Sequence, residues 1–190
     1  MTHVTASKMS AKKPPHRFVM LAYRMPAKPT ASRVAVWRAL KKSGAVYLQD
    51  SVCVMPDTTA IRRELRPVLD RINSAKGRFH LLPLRTAPAE EQEKLIDLFL
   101  EQSAHHYQEI IENCEVNFVK EIEFEVFREN FTYEEAEEIR MEFEKIVMWF
   151  DRVAARDWFG APNRDAAEGW ILRCEQLLED FETRVFQGQR

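Results

Sequence analysis

The sequence predicts an α+β protein in two parts: a basic module of alternating strands and helices, then an acidic module that is wholly helical. Three observations carry this. Short apolar runs alternate with helical periodicity up to about residue 88. From Ala89 to Phe159 the chain has no glycine and no proline, and apolar residues recur at steps of three and four. The charge divides at the same place. Up to residue 88, 17 Lys/Arg face four acids, a balance of +13; from residue 89 onward 11 Lys/Arg face 26 acids, a balance of −15.

In the basic part, the apolar run 18–23 reads as a buried strand ended by Met25-Pro26 and Lys28-Pro29. Thr30 or Ser32 can cap a helix to about Ser43, and Gly44 stops it. Residues 45–55 are β-branched and apolar but interrupted at Gln49-Asp50-Ser51, which gives two strands around a tight turn or one bent strand. Asp57 or Thr58 caps the next helix, with Ile61, Leu65, Val68, Leu69 and Ile72 on one side. Pro67 should break or kink it. Gly77 closes it, and 78–84 form a last strand, in which Pro83 suggests a sheet edge or a strand end. The order is that of a ferredoxin-like βαββαβ module, residues 17–88. Residues 1–16, with Lys8, Lys12, Lys13 and Pro14-Pro15, read as a disordered basic arm.

The acidic part, 89–190, reads as an antiparallel bundle of about three helices. Tyr107, Ile110, Ile111, Cys114, Phe118 and Ile122 make one stripe. Thr132 and Glu135 form a capping box before a second, through Ala136, Ile139, Phe143, Ile146, Phe150 and Val153. Asn163 caps a third, with Ile171, Cys174, Leu178, Phe181 and Val185. Residues 90–100 add a shorter helix. The three-and-four seams suit packing at roughly 20°.

The 190 residues are enough to bury a core, and 45% are apolar. No run has transmembrane length, and the N-terminus lacks the apolar stretch of a signal peptide. Three widely spaced cysteines, Cys53, Cys114 and Cys174, do not form a disulfide framework, so a cytoplasmic, reducing location is expected.

A basic half this strong suits a polyanion. Arg33, Arg38, Lys41 and Lys42 lie on the first helix, with Arg24 and Lys28 just before it and Trp37 among them. Cations interleaved with an aromatic can hold phosphates and stack a base; alternatively Trp37 packs on the sheet and the cations are a solvated face. Arg62, Arg63 and Arg66 form a second cluster whose guanidinium forks suit oxyanions. His105 and Glu109, one turn apart beside His106, are two ligands short of a metal site. The cysteines read as core residues. No motif indicates an enzyme, a cofactor or a resident metal.

Tyr23-Arg-Met-Pro-Ala-Lys-Pro29, Arg33-Val-Ala-Val-Trp-Arg38 and Gly44-Ala-Val-Tyr-Leu-Gln-Asp-Ser-Val52 resemble the N-terminal region of ChrB chromate-resistance proteins. Arg156-Asp-Trp-Phe-Gly-Ala-Pro162 resembles a second signature of that family. The resemblance runs from about residue 17 to 187. It implies a chromate-responsive transcriptional regulator that binds the operator of a chromate-resistance operon, with chromate as effector. Full-length members carry a further C-terminal domain, for which 190 residues leave no room. The first module also resembles the ferredoxin-like domains of PaaX-type repressors and of small CRISPR adaptation nucleases. Those nucleases place a metal-binding Asp after the first-strand Tyr; here Arg24 follows Tyr23, which argues against two-metal chemistry.

Two further readings stand beside the regulator. One is a non-enzymatic protein-interaction or oxyanion-sensing module without DNA binding of its own, its acidic bundle contacting a partner or the basic half. The other is a metal-dependent nuclease, supported by fold analogy alone. A homodimer is expected, and no membrane partner.

Overall fold

The computed structural model describes residues 17–85 and 88–188. They form two compact units, one ending at Phe99 and one beginning at Leu100. The basic arm expected over residues 1–16 lies outside the described residues.

The first unit runs β1 (Phe18–Arg24), α1 (Thr30–Lys42), β2 (Val46–Gln49), β3 (Val52–Pro56), α2 (Thr59–Ser74), β4 (Arg78–Leu84). The four strands form one antiparallel sheet in the order β2-β3-β1-β4. This is the ferredoxin-like order, and β4 with its Pro83 lies at an edge. The residues at 45–55 form two strands, turned at Asp50-Ser51, where Ser51 takes φ 64°.

Strand alternation gives the sheet two faces. Val19 and Leu21 on β1 and Cys53 and Met55 on β3 are fully buried, as are Val36 and Leu40 of α1 and Leu65 and Ile72 of α2. Phe18 points the other way and stacks on Phe99, ring centroids 5.9 Å apart. The first turns of α3 (Ala89–Glu112) therefore belong with the sheet.

Local signals differ in detail. Thr58 caps α2, its Oγ1 accepting from Ile61 N at 3.1 Å. Pro67 does not end α2. It sits on the exposed side of the helix, where a carbonyl that loses its N–H partner can turn to water. Neither Thr30 nor Ser32 caps α1; its N-cap is Pro29, with no side-chain bond.

In the second unit α3 does not stop. It passes through a π-helical turn, Asn113–Phe118, into α4 (Val119–Phe127), and Glu112 and Val119 keep right-handed helical dihedrals. The separate short helix expected at 90–100 is thus the start of this run, which no glycine or proline interrupts. The π turn has a packing cause. Apolar steps of four drift by about 40° each around a 3.6-residue helix. A wider turn absorbs that drift and keeps Cys114, Phe118 and Ile122 on one side, all buried. Helices α5 (Tyr133–Ala154) and α6 (Arg164–Gly188) complete the bundle. Ile139, Ile146 and Val153 on α5 and Cys174, Leu178 and Phe181 on α6 are buried as expected, while Ile111, Phe143, Phe150 and Ile171 of the expected stripes are partly buried against that core.

Thr132 caps α5, Oγ1 accepting from Glu135 N at 3.3 Å. The return half of the capping box is replaced: the Glu135 carboxylate accepts from Asn130 Nδ2 at 3.2 Å. Asn163 is drawn away from the α6 start, its Nδ2 donating to Ala104 O at 2.9 Å. Among the described residues no helix is long and apolar enough to cross a membrane.

Candidate functional site

Two adjoining hollows open at the end of β1 and share Arg24, Met25 and Arg33. The larger, about 830 Å³, lies between the start of α1 and the β2–β3 turn. Tyr23, Trp37 and Tyr47 supply aromatic surface, Arg33 and Lys41 supply charge, and Gln49, Asp50 and Ser51 form the hairpin side. The smaller, about 550 Å³, is lined by Arg24, Arg33, Lys76 and Arg78 with Met25, Pro26 and Ala27.

The backbone explains why these residues meet. β1 pairs with β4 so that Arg24 stands opposite Arg78. The α2–β4 turn comes close because it carries Gly77, where a Cβ would lie 2.7 Å from Arg24 O and 2.8 Å from Ile72 Cγ2. On the other side Tyr23 N donates to Ser51 O at 2.9 Å, tying the hairpin turn to β1. The hydroxyls of Tyr23 and Tyr47 are 3.0 Å apart, and Lys41 Nζ lies over the Tyr47 ring, 5.3 Å from its centroid. Burial raises both phenols above the ordinary tyrosine range. They act as neutral hydrogen-bonding groups.

Electrostatically the smaller hollow is one-sided. Among the described residues none of Arg24, Arg33, Lys76 and Arg78 is ion-paired with a carboxylate. Four cations held together without counter-charge favour a bound anion.

Of the sequence-predicted residues, Arg24, Arg33, Trp37 and Lys41 line the hollows. Trp37 is 49% exposed, so its ring is not spent on the sheet. Lys28, Arg38 and Lys42 are exposed nearby but outside the lining. Arg62 is engaged elsewhere: its Nη2 donates to Asp57 Oδ2 at 2.9 Å, and its Nε pairs with the other oxygen. That hydrogen bond holds the Asp57 carboxyl below the usual range. Arg63 and Arg66 are exposed on α2. Sequence reasoning missed Lys76, Arg78, Tyr23 and Tyr47 as site residues. The pairing of two strand-end arginines was the available signal, but it needs the β1–β4 register.

The other candidates stay apart. His105 Nε2 lies 3.5 Å from Glu109 Oε1, and among the described residues no group of three or more potential ligands assembles. All three cysteines are buried and free. Burial pushes the Cys53 thiol up to about 12. Cys114 and Cys174 influence each other, so that the Cys114 thiol is lowered and the Cys174 thiol raised.

The second sequence signature has a structural task. Asp157 Oδ1 accepts from Gly160 N and Ala161 N, both at 3.0 Å, and Oδ2 accepts from Tyr107 Oη at 3.3 Å. Gly160 takes φ 78°, the left-handed region that glycine enters without strain.

The family model described as protein ChrB, N-terminal, matches residues 33–190. The chain belongs to the ChrB N-terminal family. This makes it a chromate-resistance-related protein. The match takes in Arg33, Trp37, Lys41, Tyr47, Lys76 and Arg78, and also the Asp157 turn. No curated protein matches the chain.

Proposed function

We propose that this ChrB-family chain acts by binding rather than catalysis, as a chromate-responsive regulator that holds operon DNA on the basic face around Arg24 and Arg33. One observation carries the reading: four cations from α1, β1, β4 and the α2–β4 turn converge on one hollow with no carboxylate in its lining. Lys28, Arg38 and Lys42 extend the positive surface along α1. Such a face contacts phosphates, which position a protein on DNA without reading its sequence. A cytoplasmic homodimer, to match a two-fold operator, is part of the proposal.

The test is binding to the DNA upstream of the chain's own operon across a salt series. Each phosphate contact contributes about 0.9 to the slope of log K against log salt. Arg24→Ala with Arg78→Ala should reduce that slope by roughly two contacts' worth. A slope that the substitutions leave unchanged would remove this face from the interface.

The same hollow favours a second reading, an oxyanion sensor without DNA binding of its own. Arginine forks suit tetrahedral oxyanions as well as phosphodiesters. Chromate binding that is lost in the same double variant, with no DNA binding by the wild type, would select it.

A further inference from the structure

We infer that the two hollows form one site for a single unstacked nucleotide, with the base at the aromatic end and the phosphate at the cationic end. The inference deepens the reading above and rests on it for the phosphate end; the aromatic end is independent evidence.

A face that met only duplex phosphates would need cations and no aromatic wall, because the faces of duplex bases are stacked on one another and only their edges show in the grooves. Here the cations continue into a cavity of about 830 Å³ walled by Tyr23, Trp37 and Tyr47. That volume lies within the roughly 300–1,000 Å³ range of small-molecule sites. The aromatic wall is prearranged. The Tyr23–Tyr47 hydroxyl contact and Lys41 over the Tyr47 ring hold two of its rings, while half-exposed Trp37 offers a free face. Gln49 and Asp50 stand on the hairpin side, where amide and carboxylate groups can pair with the polar edge of a base. Arg24 and Arg33 belong to both hollows, so a ligand stacked on Trp37 has its phosphate end directed toward Lys76 and Arg78.

The ligand chemistry is therefore a nucleoside phosphate. It has two sources, a free mononucleotide or an unpaired residue in a nucleic-acid strand. A stacked base contributes about 1–3 kcal/mol, which is about 5- to 150-fold in affinity.

The test is calorimetric titration of the full chain with adenosine 5′-monophosphate, inorganic phosphate, a short single-stranded oligonucleotide and duplex DNA. The mononucleotide or the single strand should bind at least about fivefold more tightly than phosphate. Trp37→Ala should abolish that advantage and Trp37→Phe restore most of it, while phosphate binding stays unchanged. Binding of the single strand alone assigns the source to nucleic acid; binding of the mononucleotide assigns it to a free effector. If neither exceeds inorganic phosphate in the wild type, the nucleotide site is overturned whatever the variants do. Retained duplex binding would then leave the DNA reading standing, and loss of duplex binding with nucleotide binding intact would do the reverse.

Discussion

The phenolic oxygens of Tyr23 and Tyr47 lie 3.0 Å apart, bonding β1 to β2 through side chains although β3 runs between them. The contact follows from register. Tyr47 stands opposite Cys53, and Cys53 opposite Leu21, so Tyr47 and Tyr23 share the sheet face that carries α1. It makes the aromatic wall of the larger hollow part of the sheet.

Removing one hydroxyl should therefore cost more than removing both. Tyr47→Phe leaves the half-buried Tyr23 hydroxyl without this partner, at about 1–2 kcal/mol, whereas the double phenylalanine variant should lie near wild type. The pH dependence has a fixed sign. Burial raises both phenols, so the folded chain keeps protons that the unfolded chain releases near pH 10. The phenols' contribution to stability should be level below about pH 10 and be lost above it, so that the fall is less steep in the double variant. Urea melts at pH 8 to 11 would show it; equal slopes would exclude these phenols.

Gly77→Ala should weaken the fold and the cationic hollow together. Its Cβ would meet Arg24 O at 2.7 Å and Ile72 O at 2.9 Å, both backbone atoms with little room to give. Overpacking of this kind costs about 1–3 kcal/mol, and the strain is relieved by moving Lys76 and Arg78 away from Arg24. We expect a lower Tm and weaker phosphate binding. A normal Tm with normal binding would show that the turn relaxes freely.

How much of this was legible in the sequence depends on whether the cause is local. The strands, the α1 cations and the helical stripes are periodic signals within one element, and Arg24, Arg33, Trp37 and Lys41 were found that way. Lys76 and Arg78 were not, because their place depends on the β1–β4 register and on the close approach allowed at Gly77. Tyr23 and Tyr47 read as ordinary strand aromatics until alternation in three paired strands puts them on one face. Local caps failed where a distant partner won: Asn163 gives its amide to Ala104, and the Glu135 carboxylate takes Asn130 in place of the Thr132 backbone. Pro67 misled because its helix presents it to solvent, where the lost hydrogen bond is cheap.

The acidic bundle should gain stability as the pH falls from neutral. Glu121 is raised by partial burial and then by Glu142, Glu125 and Glu138; Glu135 is raised by partial burial and by Glu125 and Glu138. A raised carboxyl binds its proton more tightly in the folded chain. Its contribution is complete below the unfolded value near 4.3 and is lost as pH rises through the folded one. Both groups are largely solvated, so the effect is small. Glu121→Gln should raise Tm at pH 7 by about 1–2 °C and make less difference at pH 5. A Tm that drops on the same substitution would mean Glu121 is held by attraction instead.

The thiols should be inert in the folded chain. Cys53, Cys114 and Cys174 are each fully buried, and the Cys53 thiol is pushed up to about 12. Burial keeps an aromatic disulfide reagent at pH 8 from reaching any of them, Cys114 included although its thiol is lowered, and the reagent should titrate three thiols after unfolding. Fast reaction of one native thiol would locate an opening of the structure around it.

Asp157 should be the most sensitive position in the signature turn. Its carboxylate serves Gly160 N, Ala161 N and Tyr107 Oη, and both Ala161 and Tyr107 are buried. Asp157→Ala strands the Ala161 and Tyr107 donors where water reaches poorly, while the exposed Gly160 N–H can turn to water, at about 2–4 kcal/mol in all, or a Tm loss of about 5–12 °C. Asp157→Asn keeps one acceptor oxygen and should fall between that variant and wild type. Tyr107→Phe removes only the 3.3 Å bond and keeps the ring contact with Phe150, centroids 5.6 Å apart, so its cost should be about 0.5–1.5 kcal/mol. Hydrogen exchange separates this account from general destabilisation. In Asp157→Ala the Gly160 and Ala161 amides should lose protection before those of α5 and α6, because their acceptor is gone while the helical bonds remain. Uniform loss across the bundle, or a Tm equal to wild type, would mean the turn is held by packing and not by this carboxylate.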